Sequence, residues 1–207
     1  MDFLNHDNIL RSTDDVERHP LKPFLPQGCK VLFLGSFPPQ RKRWCVDFFY
    51  PNFTNDHWRI EGLVFFDDKN YFVDTARRTF LLDKIVAFLR ERGIGFYDTA
   101  TAVRRLQQNA SDKFLEIVEP TDIESLLAEV PACSTLAVTG EKATLTLCRN
   151  FGVEKMPPVG GNVSVTLPLL GRSVHIYRLP SSSRAYPLSI EKKAEAYKRM
   201  FGFCGLI

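Results

Sequence analysis

The sequence predicts an α/β fold: a three-layer α/β/α sandwich around a short, mostly parallel central sheet. Short apolar runs such as Val31-Leu32-Phe33-Leu34 stop abruptly at a glycine, the pattern of strands buried on both faces. Between such runs lie stretches of ten or more residues whose apolar positions recur at helical spacing. Strands that alternate with helices of that length pair in parallel, because each crossover must return along the sheet before the next strand begins. In open sheets of this kind, ligands bind beyond the carboxyl ends of the strands.

The elements follow in order. Residues 1–29 are polar and broken by Pro20, Pro23 and Pro26, so they are expected to wrap the surface ahead of the first strand, 30–34. Asp74 or Thr75 is placed to cap a helix whose apolar positions are Phe80, Leu81, Ile85, Phe88 and Leu89, with Gly93 where a C-terminal cap belongs. Gly95-Phe96-Tyr97 reads as the second strand. Thr121-Asp122-Ile123-Glu124 has the form of a capping box, Thr121 and Glu124 satisfying each other's backbone donors. Residues 135–139 read as a strand and 141–150 as a helix closed by Gly152. Residues 163–167 and 174–179 read as a strand pair joined through Gly171, and 189–201 as a last amphipathic helix with Gly202 just past its end. With no internal repeat, low-complexity tract or linker, one domain over 1–207 is expected.

A chain of 207 residues is long enough to bury a full core without disulfides or metals. Hydrophobic residues at 44% and charged residues at 25% exclude a disordered chain. A net charge of +3 permits nucleic-acid binding through a local basic patch without predicting it. Cys29, Cys45, Cys133, Cys148 and Cys204 show no CxxC spacing, so free buried thiols are expected, with no metal or other cofactor. The start Met1-Asp2-Phe3-Leu4-Asn5-His6 has neither the basic residues nor the apolar run of a signal peptide, and no stretch reaches membrane-spanning length. A cytoplasmic monomer with no membrane or obligate protein partner is the expectation.

The segment 30–58 reads as a site. Backbone-forcing residues, Gly35-Ser36-Phe37-Pro38-Pro39, come directly after a buried strand, and a dense set of aromatics and amides follows in Phe49-Tyr50-Pro51-Asn52-Phe53-Thr54-Asn55-Asp56-His57-Trp58. An aromatic beside two amides suits a flat, hydrogen-bonding ligand such as a nucleobase. Basic residues cluster at Arg41, Lys42 and Arg43 after the turn, and again at Arg104 and Arg105; either cluster can be solvated loop charge or a contact for a phosphate backbone.

Three segments together resemble the uracil-DNA glycosylase superfamily, most closely its hypoxanthine-DNA glycosylase branch. They are Val31 to Pro39 continued by Tyr50, Asn52, Asn55 and Trp58; Gly95-Phe96-Tyr97-Asp98-Thr99 with Pro120-Thr121-Asp122-Ile123; and Leu179-Pro180-Ser181-Ser182-Ser183. The resemblance implies excision of a deaminated base, hypoxanthine or uracil, from DNA by a monofunctional enzyme of base excision repair that needs no metal. The nucleotide would leave the duplex and enter a pocket where its base is stacked and read. Donors near the base oxygen would stabilise the departing negative charge, and the Gly35-Ser36-Phe37 turn can offer backbone N–H groups there, whereas Pro38 and Pro39 cannot.

Many superfamily members carry a water-positioning Asp or Asn where this chain has Phe37. The hypoxanthine branch uses an asparagine downstream, which corresponds here to Asn52, an amide that can hold a water but is no strong base. The other reading of Asn52 is backbone capping in a Pro-Asn turn. Tyr50 matches the aromatic that stacks the base, with Phe49 the neighbour one residue out of register. Asn55 and Trp58 complete the motif, Trp58 entering the core, and His57 reads as a packed or partly exposed histidine and not a catalytic one. Asp98, in the position of a base-reading asparagine, accepts but does not donate when ionised, which suits the ring N–H of a purine lactam, or a role in catalysis or in holding water; otherwise it caps Thr99-Ala100-Thr101. Ser181, Ser182 and Ser183 are expected to hold the DNA backbone, Arg184 to clamp a phosphate or enter the duplex, and Tyr186 to wedge into the gap, unless this is simply a polar loop. A DNA-binding protein without catalysis and an α/β enzyme of free nucleotides are the competing expectations.

Overall fold

The computed structural model describes residues 16–106 and 114–207. The first half of the expected N-terminal wrap, 1–15, therefore lies outside the described residues. The architecture is mixed α/β. The central sheet has five strands in the order β5 (Ile94–Asp98), β2 (Val31–Gly35), β8 (Thr135–Thr139), β10 (Arg172–Leu179), β9 (Asn162–Leu167). The first three pairings are parallel and the β10–β9 pairing is antiparallel.

Val31, Leu32, Phe33 and Leu34 are all fully buried, as a continuous apolar run requires. Phe33 stacks on Phe96 of β5 with centroids 5.2 Å apart, and on its other side meets Tyr197 and Phe201 of α5 (Ile190–Phe203). Helix α1 (His57–Phe66) packs against α5, α2 (Leu82–Arg92) against β5 and α4 (Glu141–Asn150) against β8. Trp58 is in the core, its indole N–H donating to the Phe49 carbonyl at 3.2 Å.

A second, antiparallel sheet is absent from the sequence reading: β1 (Val16–Arg18), β6 (Ala100–Arg105) and β7 (Leu115–Pro120) in the order β1-β6-β7. It carries its own small apolar cluster of Phe37, Ala100, Val103 and Leu115. The phenylalanine in the turn after β2 thus holds the two sheets together.

Several local expectations are corrected. Thr79–Phe80 (β4) pairs with Val73–Asp74 (β3) in a short hairpin, so the helix begins only at Leu82. Asp74 serves the hairpin turn instead of a helix, its Oδ1 accepting the Arg77 N–H at 2.9 Å. The capping box does not close: Asp122 is the cap of α3 (Ile123–Glu129), accepting from the Ser125 N–H, while Glu124 reaches the Leu169 N–H and Thr121 donates its hydroxyl to the Asp98 carbonyl at 2.7 Å. Gly202 lies inside α5, whose C-terminal cap is Cys204. Gly93 does close α2, in the left-handed region at φ 67°, as expected. No helix among the described residues is long and apolar enough to cross a membrane.

Candidate active site

Parallel pairing puts the carboxyl ends of β5, β2, β8 and β10 along one edge, and a cleft of about 1040 Å³ opens there. The three sequence segments converge on it: Gly35, Ser36 and Phe37 after β2, Tyr50, Asn52 and Asn55, Asp98 at the end of β5, and Ser181, Ser182, Ser183 and Arg184 after β10 all line its wall. Arg43 joins them, whereas Arg41 and Lys42 stand outside.

Gly35 and Asp98 are register partners, and the Thr99 N–H donates to the Gly35 carbonyl at 2.8 Å. A methyl group at Gly35 would collide with Asp98 Oδ1, so the glycine is what lets the carboxylate lie across the strand end. Asp98 is 8% exposed, and its Oδ2 is 2.9 Å from Nε2 of His19. Sequence reasoning missed His19, which lies 79 positions away in the proline-broken N-terminal segment. Among the described residues Oδ1 has no hydrogen-bond partner. One oxygen is fixed and the other is available at the cleft, which allows Asp98 to accept an N–H or a water proton.

Tyr50 holds a positive φ of 49°, a strained value for a bulky residue. Its hydroxyl is 2.7 Å from Thr139 Oγ1 at the end of β8, and one face of its ring stacks on His57 at 3.8 Å and 6°. Thr139 was also missed, although the strand-end rule could have found it. Asn52 Oδ1 accepts from both the N–H and the hydroxyl of Thr54, at 3.0 and 2.8 Å, and Asn55 Oδ1 accepts the His57 N–H at 2.9 Å at the start of α1.

Below Tyr50 sits a fully buried pair. His57 Nε2 and Glu61 Oε1 are 3.4 Å apart but not aligned as a hydrogen bond. Burial pushes the Glu61 carboxyl up to about 8 and holds the His57 imidazole well below its ordinary value, so both are neutral at pH 7.

The serine loop is latched to the asparagine segment. Ser182 O accepts the Asp56 N–H at 3.0 Å, Asn55 and Ser183 form an antiparallel bridge, and the Arg184 guanidinium donates to Asp56 at 2.8 Å. Buried Lys193 donates to the Ser183 carbonyl at 2.7 Å; burial lowers its pKa, against the pull of Asp56. Arg104 and Arg105 do not form an open basic patch. Arg104 pairs with Glu116, and Arg105 pairs with Glu17 and donates to the Pro38 carbonyl at 2.7 Å, bracing the turn. Arg41 pairs with Asp47 and lies over Trp44, while Lys42 and Arg43 have no acidic partner among the described residues. No three His, Cys, Asp or Glu side chains among the described residues are grouped as metal ligands.

No family model matches the sequence, and no curated protein does. Among solved structures, the chain is similar to the solution NMR structure of a "putative Uracil DNA glycosylase" from Methanosarcina acetivorans, with a TM-score of 0.57 and 22% identity over 90% of this chain and 99% of that one. At that identity the likeness establishes a shared fold, and the chain has the fold of that protein over most of its length.

Proposed function

We propose that this chain is a monofunctional DNA glycosylase of the uracil-DNA glycosylase superfamily, nearest its hypoxanthine branch, folded as one three-layer α/β/α domain. The reading rests on one observation: the turn after β2, the Tyr50–Asn55 segment, Asp98 and the Ser181–Arg184 loop, far apart in sequence, share one cleft at the strand ends. The structural neighbour, described as a "putative Uracil DNA glycosylase", supports it.

In this reading a deaminated base, hypoxanthine or uracil, enters the cleft extrahelically against Tyr50, where stacking contributes about 1–3 kcal/mol. The bond between C1′ and the base nitrogen breaks, the sugar gains positive charge, and water adds its oxygen to C1′ while its proton ends on the solution or the base. Asp98 Oδ1 accepts the ring N–H of the base or orients the water, and the Asn52 amide helps to hold that water. Lys42, Arg43 and the serine loop take the phosphates, which positions the duplex without reading its sequence. The protein works in the cytoplasm as a monomer.

The test is release of base, scored as abasic sites, from matched duplexes carrying uracil, hypoxanthine, xanthine or a G·T mismatch. Wild type should act on uracil or hypoxanthine, and Asn52→Ala should lower that rate by about tenfold, the worth of one lost hydrogen bond. Full activity in the variant would take Asn52 out of the mechanism. Asp98→Asn supplies a donor as well as an acceptor and should shift the excision ratio towards uracil; an unchanged ratio would count against Asp98 as a base reader. A second reading, a DNA-binding protein without catalysis, is favoured by the engagement of Asn52 Oδ1 with Thr54. Tight binding to inosine duplex with no abasic product would select it.

A further inference from the structure

Among the described residues, the N-terminal segment meets the site through His19, which contacts Asp98, and Leu21, which lines the cleft. The Arg18↔Ala102 register of β1 on β6 delivers His19, whose backbone N–H donates to the Thr101 carbonyl at 2.8 Å. The side chain is 2% exposed and surrounded by rings: the edge of Phe37 at 5.3 Å, Tyr97 at 4.6 Å and Phe49 at 6.2 Å. One ring nitrogen faces the Leu21 backbone, with Nδ1 2.9 Å from its carbonyl and 3.2 Å from its N–H. The other faces Asp98 Oδ2.

An ionised carboxylate only accepts, so Nε2 must carry a hydrogen. Nδ1 then accepts from the Leu21 N–H when the ring is neutral and donates to the Leu21 carbonyl when it is charged. Both states present the same donor to Asp98.

We propose that His19 is the positioning residue of this site: it fixes Asp98 through Oδ2 so that Oδ1 stays over Gly35 and directed at the substrate. This rests on the glycosylase reading. A carboxylate held by one oxygen needs no reorientation when the base or water arrives, which is where a preorganised group gains over a mobile one. The arrangement also explains the apolar enclosure. Phe37, a poor residue for holding water, shields the His19–Asp98 contact from solvent and so strengthens it.

The experiment compares His19→Phe with His19→Gln, whose amide can place a donor near the position of Nε2. Excision is measured under single-turnover conditions, and affinity by anisotropy on a duplex carrying a stable abasic-site analogue. His19→Phe should slow excision by about 30-fold and leave affinity within about threefold, and His19→Gln should restore most of the rate. In an Asp98→Ala background, His19→Phe should have no further effect on rate. Wild-type rates in His19→Phe, equal losses in both variants, or a full additional loss in the Asp98→Ala background would overturn the proposal. Failure of the glycosylase reading looks different, since wild type itself would then release no base from any duplex.

Discussion

Replacing Gly35 with alanine should lower base excision by about 10²–10⁴-fold, the range lost with a positioned acid or base, while the protein remains folded. The reason is local. The added methyl group meets Asp98 Oδ1, and the next nearest atoms are the Asp98 carboxyl carbon at 3.6 Å and the Tyr50 hydroxyl at 3.9 Å. No backbone atom is among them. The carboxylate end can rotate away without moving the backbone, but doing so breaks its contact with His19, at a cost of about 1–3 kcal/mol, and removes Oδ1 from the cleft. Thermal unfolding should therefore move down by only several degrees while the single-turnover rate falls by orders of magnitude. Combining Gly35→Ala with Asp98→Ala should cost no more than Asp98→Ala alone, because both variants remove the same group. Additive losses would mean that Gly35 acts through the backbone of the turn and not through Asp98.

The same strand end shows what the sequence discloses and what it hides. Val31 to Leu34 and the glycine after them were legible because a strand buried on both faces is apolar throughout, and the strand-end rule then located the cleft. Helix α1 was not, because its first six residues are all buried and include Arg59 and Glu61, so no apolar stripe marks a helical face. The β3–β4 hairpin is two residues per strand, too short for any period, and its Phe80 was absorbed into the helix that follows. The antiparallel sheet was missed because the basic residues of β6 read as a DNA-facing cluster. Arg104 and Arg105 are instead paired with Glu116 and Glu17, partners supplied by the two neighbouring strands. His19 illustrates the general limit: its meaning depends on a contact with Asp98 that no local pattern encodes.

The largest pH effect on stability should come from the buried pair beneath Tyr50. Glu61 is raised from 4.5 to about 8 by burial alone, so the folded chain holds a proton that the unfolded chain releases between those values. That favours the folded state below pH 4.5, and the advantage is lost as pH rises through 8. His57, held well below 6.5 by burial, acts in the opposite sense: it stabilises the fold above pH 6.5 and costs stability as pH falls beneath that value. The two slopes oppose each other between pH 4.5 and 6.5, leaving Glu61 alone above that window. Unfolding free energy should thus fall by about 2 kcal/mol between pH 6.5 and 8 through this one carboxyl. Glu61→Gln keeps the shape and removes the titration, so its denaturant midpoint should stay level across that interval and exceed that of wild type at pH 8. Parallel curves for the two proteins would show that Glu61 does not titrate there. Because the Tyr50 ring lies 3.8 Å from the His57 ring, the stacking surface for the base rests on this pair. Ionising Glu61 places an uncompensated charge under it, and wild-type excision above pH 8 should decline more steeply than that of Glu61→Gln.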